Sequence, residues 1–296
     1  RWVSWIKKNR PMPSAETRKL LRVYASQPLQ MGATQVKQPL PAEGLRQLSP
    51  FVLLHHFGPT EAAPGEDPLH VAPHPHRGFA PVTILFQGAV QHRDSLGNEG
   101  VIRAGGVQWI TAGSGLMHSE QAAPEFVAQG GTLEGIQLWV NLPAKHKMDP
   151  PEYQELQAEA LPRAEVGDIN LRIIAGTLGP TKGPVEPLSP LLVATGELPA
   201  QGRGQIAVPA GFNLAVYLVQ GALNVPGQGS IPQEHLAVFH EAGGRLELHA
   251  PADSRFLLLA GKPLREPLAQ YGPFVMNRPE ELRQAIQDYE AGKMGV

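Results

Sequence analysis

The chain has 296 residues, with 25 basic residues, 27 acidic residues and no cysteine. A formal net charge of -2 provides no basic field to hold nucleic acid or an anionic membrane, so we expect any contact with DNA to be indirect. The lack of cysteine excludes disulfides and thiolate metal ligands, and the length suffices for two domains.

Glycine and proline are frequent, at 32 and 30 residues, while aromatic residues make up only 6% of the chain. Turn residues that separate short Val/Ile/Leu runs favour an all-β fold. No apolar run approaches the roughly 20 residues of a membrane span, and the N-terminal residues lack an apolar signal core. We therefore expect a soluble, cytoplasmic protein without membrane contact.

The N-terminal residues show no periodic apolar pattern. Residues 1 to 11 include four basic residues, and Met12 is a natural start, so these residues indicate an extension before it. We predict that residues 1 to 19 form an N-terminal extension that is disordered in part.

Two short histidine motifs carry the strongest chemical signal. His74-Pro75-His76 and His118-Ser119-Glu120 each place two donors at positions i and i+2. In an extended strand such residues point to the same face, so two neighbouring strands can bring all four donors around one ion. Any one of these histidines alone indicates a surface residue, but the two pairs together predict a metal site.

The rest of the chain alternates between strands and turns. Apolar runs at residues 82–86, 107–111 and 136–140 predict buried strands, and residues 143–167, rich in Pro, Glu and Lys, indicate a linker. We therefore predict an N-terminal barrel with the metal site over residues 20–150 and a C-terminal barrel over residues 151–296.

The second half repeats the first in register. Gly78-Phe79 precedes Gly88 by ten residues, and Gly211-Phe212 precedes Gly221 by the same interval, so the offset is 133. Such a repeat predicts duplicated barrels, although a chance match of short phrases is the alternative.

The same offset predicts which residues replace the metal donors in the second barrel. His74 and His76 correspond to Ala207 and Pro209. The pair at His118 corresponds roughly to Leu248 and Ala250. None of these four residues binds metals, so we expect a C-terminal barrel without metal.

A helix is predicted at the C-terminus. Asn277 is a suitable N-cap, with Pro279 in the first turn and Glu280 at the third helical position. Four residues share an apolar face: Leu282, Ala285, Ile286 and Tyr289.

Four longer phrases resemble the pirin family of the cupin superfamily. They are HPHRGF (74–79), HRDSLGNEG (92–100), GGVQWITAGSGLMHSE (105–120) and GKPLREPLAQYGPFVMNRPEELRQAIQDY (261–289). The resemblance extends from about residue 20 to the C-terminus. It implies two jelly-roll β-barrels stacked face to face, with one metal in the N-terminal barrel. The implied ligands are His74, His76, His118 and Glu120.

The resemblance implies two kinds of function. Some family members resemble quercetin 2,3-dioxygenases, which suggests a flavonol-like small-molecule substrate; others resemble redox-sensitive transcriptional coregulators or modulators of a metabolic enzyme, which suggests a protein partner. Three imidazoles and one carboxylate leave two positions of an octahedron open and suit Fe(II), while the ligand types also fit Mn, Ni, Co, Cu or Zn. We expect a monomer with one such ion.

In the dioxygenase interpretation, Glu120 is the candidate catalytic base, with charge balance at the metal as the alternative role. His92 and Asp94 could orient a ligand, although Asp94 also suits a simple turn.

Other polar and aromatic residues near the motifs allow similar alternatives. Arg77 could supply charge near the cavity opening, but we expect a salt bridge that stabilises its loop. His55 and His56 could line the cavity mouth, but we expect them to be exposed. We expect Trp109 and Trp139 to belong to the core and not to a pocket.

Overall fold

The computed structural model describes residues 16–32 and 34–295, so the predicted extension of residues 1–19 lies mostly outside the described residues. The strands from the first half are β1 (Leu20–Ala25), β2 (Gln27–Met31), β3 (Thr34–Leu40), β4 (Phe51–Ala62), β5 (His70–His76), β6 (Phe79–Gln87), β7 (Ala89–Asp94), β8 (Glu99–Arg103), β9 (Val107–Thr111), β10 (Leu116–Ala122), β11 (Gly131–Asn141) and β12 (Glu152–Leu156).

The second half contains the strands β13 (Arg163–Val166), β14 (Ile169–Ala175), β15 (Thr177–Leu178), β16 (Thr181–Lys182), β17 (Leu191–Leu198), β18 (Arg203–Ala207), β19 (Asn213–Gln220), β20 (Leu223–Val225), β21 (Gly229–Ile231), β22 (His235–Phe239), β23 (Arg245–His249), β24 (Ser254–Gly261), β25 (Ala269–Tyr271) and β26 (Phe274–Met276). The helices are α1 (Pro124–Gln129) and α2 (Pro279–Glu290), with short 3-10 turns at Ala144–His146 and Ala158–Ala160. Among the described residues, no helix combines the length and apolar character needed to cross a membrane.

The described residues form two compact units. The first unit comprises residues 26–161, 184–189 and 264–295, and the second comprises residues 16–25, 162–183 and 190–263. The units therefore differ at both termini from a division of the chain near residue 150. β1 belongs to the second unit because it pairs with β22, and α2 belongs to the first unit because its apolar face packs against Phe274 and Met117.

Each unit contains a seven-stranded and a four-stranded antiparallel sheet. In the first unit the strand orders are β12-β9-β6-β11-β4-β3-β2 and β5-β10-β7-β8. In the second unit they are β1-β22-β19-β24-β17-β14-β13 and β18-β23-β20-β21. Corresponding strands occupy the same positions, which confirms the predicted duplication. The turns after β6 and β19 also match, because Gly88 and Gly221 adopt φ angles of 85° and 93° that favour glycine.

Helix α2 confirms the predicted C-terminal helix, but its first residues differ from the prediction. The N-cap is Arg278, and the carboxylate of Glu281 accepts hydrogen bonds of 2.9 Å from the backbone N–H groups of Asn277 and Arg278. The Asn277 side chain donates to the Pro267 carbonyl instead. Tyr289 lies outside the apolar face and is 43% exposed.

Residues 16–19, the described part of the predicted extension, are bound to the second unit. The buried Arg18 guanidinium donates to the backbone carbonyls of Pro209, Phe212 and His240 at 2.6–2.8 Å. Its backbone N–H also donates to the Arg245 carbonyl. Arg18 therefore fixes the segment that leads into β1.

We predict that Arg18→Leu lowers the free energy of unfolding by about 3 kcal/mol, because three backbone carbonyls lose the buried, charged donor that binds them. Arg22→Leu, four residues later on β1, is the control. Arg22 is exposed and lies over the Tyr24 ring at 4.9 Å, so its loss should cost less than about 1 kcal/mol. Urea unfolding followed by circular dichroism compares them, and equal losses would contradict the role of Arg18.

Candidate metal centre

Three histidines converge in the four-stranded sheet of the first unit. His74 and His76 lie on β5, and His118 lies on the adjacent antiparallel strand β10, directly opposite His74. The Nε2 atom of His74 is 3.0 Å from the Nε2 atoms of both His76 and His118. Among the described residues, these three histidines form the group of potential metal ligands whose donor atoms all lie within 4.8 Å of one another.

The spacing of these nitrogens fits ligands of one ion. Two nitrogens about 2.1 Å from an ion and at right angles to each other are about 3.0 Å apart, whereas the tetrahedral angle gives about 3.4 Å. Spacings of 3.0 Å are therefore short enough for the imidazoles to bind one ion together.

Hydrogen bonds orient two of the imidazoles so that Nε2 is free to bind. His74 Nδ1 donates to the Ala72 carbonyl at 2.9 Å, which leaves a lone pair on Nε2. His118 Nδ1 lies 3.4 Å from His92 Nδ1, and His92 Nε2 lies 3.1 Å from Asp94 Oδ2. If His92 donates to Asp94, it accepts from His118, and His118 Nε2 again keeps its lone pair.

The predicted orienting role of His92 and Asp94 is therefore present in the geometry. Asp94 also has the turn role, because its Oδ1 accepts from the backbone N–H groups of Leu96 and Asn98. His92 is further held by stacking on Tyr153, with ring centroids 4.9 Å apart.

Burial keeps the three imidazoles neutral. It lowers the pKa of His74 and holds the pKa values of His76 and His118 well below the ordinary value, with the neighbouring imidazoles adding to the effect at His76 and His118. Neutral imidazole is the form that binds metals, so the site is ready to bind at neutral pH.

Glu120 lies on the same face of β10 as His118 but does not belong to the group of three histidines within 4.8 Å. Its Oε1 accepts from the Thr83 hydroxyl at 2.6 Å, and its Oε2 accepts from Gln137 Nε2 at 3.2 Å. Burial raises the pKa of Glu120, while the Thr83 hydrogen bond acts in the opposite direction. Its role as a ligand stays a prediction, and sequence reasoning missed Thr83 and Gln137.

The loop after β5 is held by residues distant in sequence. Arg77 is 4% exposed, donates to the Ser114 carbonyl at 2.6 Å and forms a 2.8 Å ion pair with Asp288 on α2. The ion pair confirms the predicted salt bridge of Arg77. It connects the loop after β5 to the C-terminal helix.

Lys147, which sequence reasoning also missed, supports the same loop. Its Nζ donates to the carbonyls of Gly78 and Val275 at 2.7 Å and to the Asn141 side chain. Burial lowers its pKa to about 7. Gly78 adopts a φ of 85°, and a Cβ there would collide with the Val275 carbonyl, so this close approach requires glycine.

His55 and His56 are buried, and the prediction of exposure is wrong. Both lie on β4 inside the seven-stranded sheet, where His55 Nε2 is 2.8 Å from Gln38 Oε1 and His56 Nε2 is 3.2 Å from Glu134. Trp109 is buried as predicted, whereas Trp139 is half-buried and packs against the core, with its ring 5.4 Å from the His76 ring.

Family models match most of the chain. The Pirin model matches residues 33–140, and the model of the Pirin C-terminal cupin domain matches residues 193–295. The chain belongs to the pirin family.

Individual relatives agree with this assignment. A Pseudomonas aeruginosa protein named "Putative quercetin 2,3-dioxygenase" is 44% identical over 250 residues, which cover 84% of this chain and 87% of the relative. A Solanum lycopersicum "Pirin-like protein" is 38% identical, with 85% and 84% covered. The crystal structure of a quercetin 2,3-dioxygenase from Acinetobacter baumannii has a TM-score of 0.90 at 39% identity and covers 95% of this chain and 99% of its own. Both units therefore have the cupin fold.

In this pirin-family chain, the second barrel has aliphatic residues at the positions that correspond to the histidines of the first barrel. Some of them are not the residues that the offset of 133 predicted. β18 pairs with β23 so that Ile206 lies opposite Leu246, as His74 lies opposite His118. The residues that point inward are Ile206, Val208, Leu246 and Leu248. Ala207 and Pro209 are exposed, because a shift of one residue reverses the face of a strand.

We predict that the purified pirin-family protein binds one metal ion per chain and that His74→Ala/His118→Ala loses it, because two of the three convergent imidazoles are removed. His249→Ala, in the second barrel, is the control and should keep the full amount. Elemental analysis by mass spectrometry measures the content. A full metal content in the double variant would contradict the site.

His55 provides a pH-dependent test of burial in the first barrel. Burial lowers its pKa to about 4, whereas the unfolded chain has the ordinary value of about 6.5. As the pH falls through this interval, the unfolded state takes up a proton that the folded state excludes. The free energy of unfolding should therefore decrease by about 3 kcal/mol towards pH 4.

We predict that His55→Gln lacks this loss, measured by urea unfolding at pH 7 and pH 4 against wild type. His70→Gln is the control, because it makes the same substitution outside the core, at a side chain that is 68% exposed. The interpretation of His55 is wrong if wild type and His55→Gln lose the same stability.

Proposed function

We propose that this protein is an Fe(II)-dependent dioxygenase of flavonols, of the quercetin 2,3-dioxygenase type. The observation that carries the proposal is the convergence of three neutral Nε2 atoms beside a buried carboxylate. The names of the P. aeruginosa relative and the A. baumannii structure agree with it.

The donor set favours iron among the metals that it fits. Three imidazoles, with or without Glu120, occupy no more than four positions of an octahedron, and sites of this composition with open positions are typical of non-haem Fe(II) oxygenases. When bound, the ion would act as a Lewis acid towards the substrate hydroxyl and as a redox partner of dioxygen. Mn, Ni, Co, Cu and Zn also suit imidazole and carboxylate ligands, so the metal identity belongs to this proposal.

Glu120 is the base in this proposal. A carboxylate with a raised pKa is better matched to a flavonol hydroxyl than an exposed one, and Glu120 lies on the same face of β10 as His118. Oε1 is held by the short Thr83 hydrogen bond, while the contact of Oε2 with Gln137 is longer, at 3.2 Å. We infer that Oε2 receives the proton.

We predict that the iron-loaded protein consumes oxygen with quercetin and that Glu120→Gln lowers kcat by about a hundredfold or more, with a smaller change in substrate binding. The substitution keeps the size of the side chain and removes its basicity. Glu99→Gln, at an exposed carboxylate, is the control. Oxygen electrode measurements give kcat, and anaerobic dialysis gives binding.

Two outcomes would favour a different function. Iron-loaded protein that consumes no oxygen with any flavonol contradicts the dioxygenase proposal. A protein partner whose affinity differs between the Fe(II) and Fe(III) forms would then support the alternative of a redox-sensitive regulator.

A further inference from the structure

A row of polar side chains crosses one face of the seven-stranded sheet in the first unit. Strand pairing places Gln108 beside Thr83, Thr83 beside Gln137, and Gln137 beside His55. Paired residues on neighbouring strands share a face. Thr83 and Gln137 both donate to Glu120 of the four-stranded sheet, so this face points towards the metal-binding strands. We call Gln108, Thr83, Gln137 and His55 the polar row.

The second barrel shows that the fold does not require the polar row. The same strand pairings identify the corresponding residues as Ala237, Val216, Leu258 and Ala194. All four belong to the aliphatic core of the second unit. Buried polar groups reduce stability unless they are fully hydrogen-bonded, so their presence in the first barrel calls for a functional explanation.

Two members of the polar row have buried oxygens without a partner. Among the described residues, Gln108 Oε1 and Gln137 Oε1 are inaccessible to solvent and accept no hydrogen bond. The amide nitrogens are engaged, because Gln108 Nε2 lies 3.4 Å from the Tyr153 hydroxyl and Gln137 Nε2 bonds Thr83 and Glu120. Each amide is thus oriented through its nitrogen, which leaves the oxygen as an acceptor for another molecule.

We propose that Gln108 and Gln137 bind ring hydroxyl groups of the substrate through their side-chain oxygens. This inference rests on the proposed function and identifies which flavonols the site selects. An amide oxygen only accepts, so it favours a ring with hydroxyl donors over a ring without them. Gln108 Nε2 bonds to Tyr153, whose ring stacks on His92, but Gln108 Oε1 has no partner, so support of the metal-binding residues explains the nitrogen and not the oxygen.

The test compares Gln108→Met and Gln137→Met with wild type in anaerobic equilibrium dialysis of metal-loaded protein, where no turnover occurs. The probes are quercetin and 3-hydroxyflavone, which lacks the further ring hydroxyls. Both variants should raise the Kd of quercetin about three- to tenfold, and Gln108→Met should leave the Kd of 3-hydroxyflavone unchanged. Gln154→Met is the control, because the pairing of Gln154 with Trp109 places it on the other face of the sheet.

Thermal stability separates recognition from a structural role. Gln108→Met removes a buried acceptor without a partner, so its melting temperature without ligand should equal or exceed that of wild type. Gln108→Ala replaces it in the dialysis if the Met variant does not fold.

The proposal is overturned if quercetin does not bind wild type, if its affinity is unchanged in Gln108→Met, or if the affinities of both probes fall in parallel. A large drop in melting temperature would also overturn it. Gln108-dependent binding without oxygen uptake supports this recognition and contradicts the dioxygenase reaction. Oxygen uptake by the wild type, together with unchanged quercetin affinity in Gln108→Met, supports the dioxygenase reaction and contradicts this recognition.

Discussion

The pairing of β5 with β10 is the interaction on which the centre depends. It places His118 opposite His74 and brings their Nε2 atoms to 3.0 Å, while His76 reaches the same point because it follows His74 by two residues. A slip of one residue would turn the imidazoles to the other face. The register changes once, between His118 and Glu120, so Glu120 lies opposite Val71 and reaches Thr83 instead of the histidine cluster.

The two barrels form an internal comparison at constant fold. The second barrel fills its interior with aliphatic side chains, which maximises apolar burial and leaves no donor for a metal at the corresponding positions. The interior of the first barrel buries less apolar surface, because it contains imidazoles, a carboxylate and amides. Hydrogen bonds compensate most of these groups, as at His92 and Thr83, but Gln108 and Gln137 each retain an unpaired oxygen. Such incomplete compensation is typical of functional sites.

Sequence reasoning succeeded where the information is local and periodic. The i, i+2 spacing predicted the convergence of His74, His76 and His118, and the repeated Gly and Phe residues predicted the duplication. It failed where the deciding partner is distant in sequence. The partner of His56 is Glu134, 78 residues away, so burial could not be inferred from the neighbours of His56. The face to which a side chain points also depends on exact strand register. At β18 the offset of 133 identified Ala207 as the counterpart of His74, one residue beyond the true counterpart, Ile206.

The C-terminal segment shows why the division of the chain was not evident. Its residues follow the second barrel in sequence, yet Asp288 pairs with Arg77, 211 residues earlier, and Val275 accepts from Lys147. Both contacts hold the loop that joins β5 to β6. The ordered loop therefore requires residues from both ends of the chain. The C-terminal helix is therefore part of the contacts that surround the loop after β5.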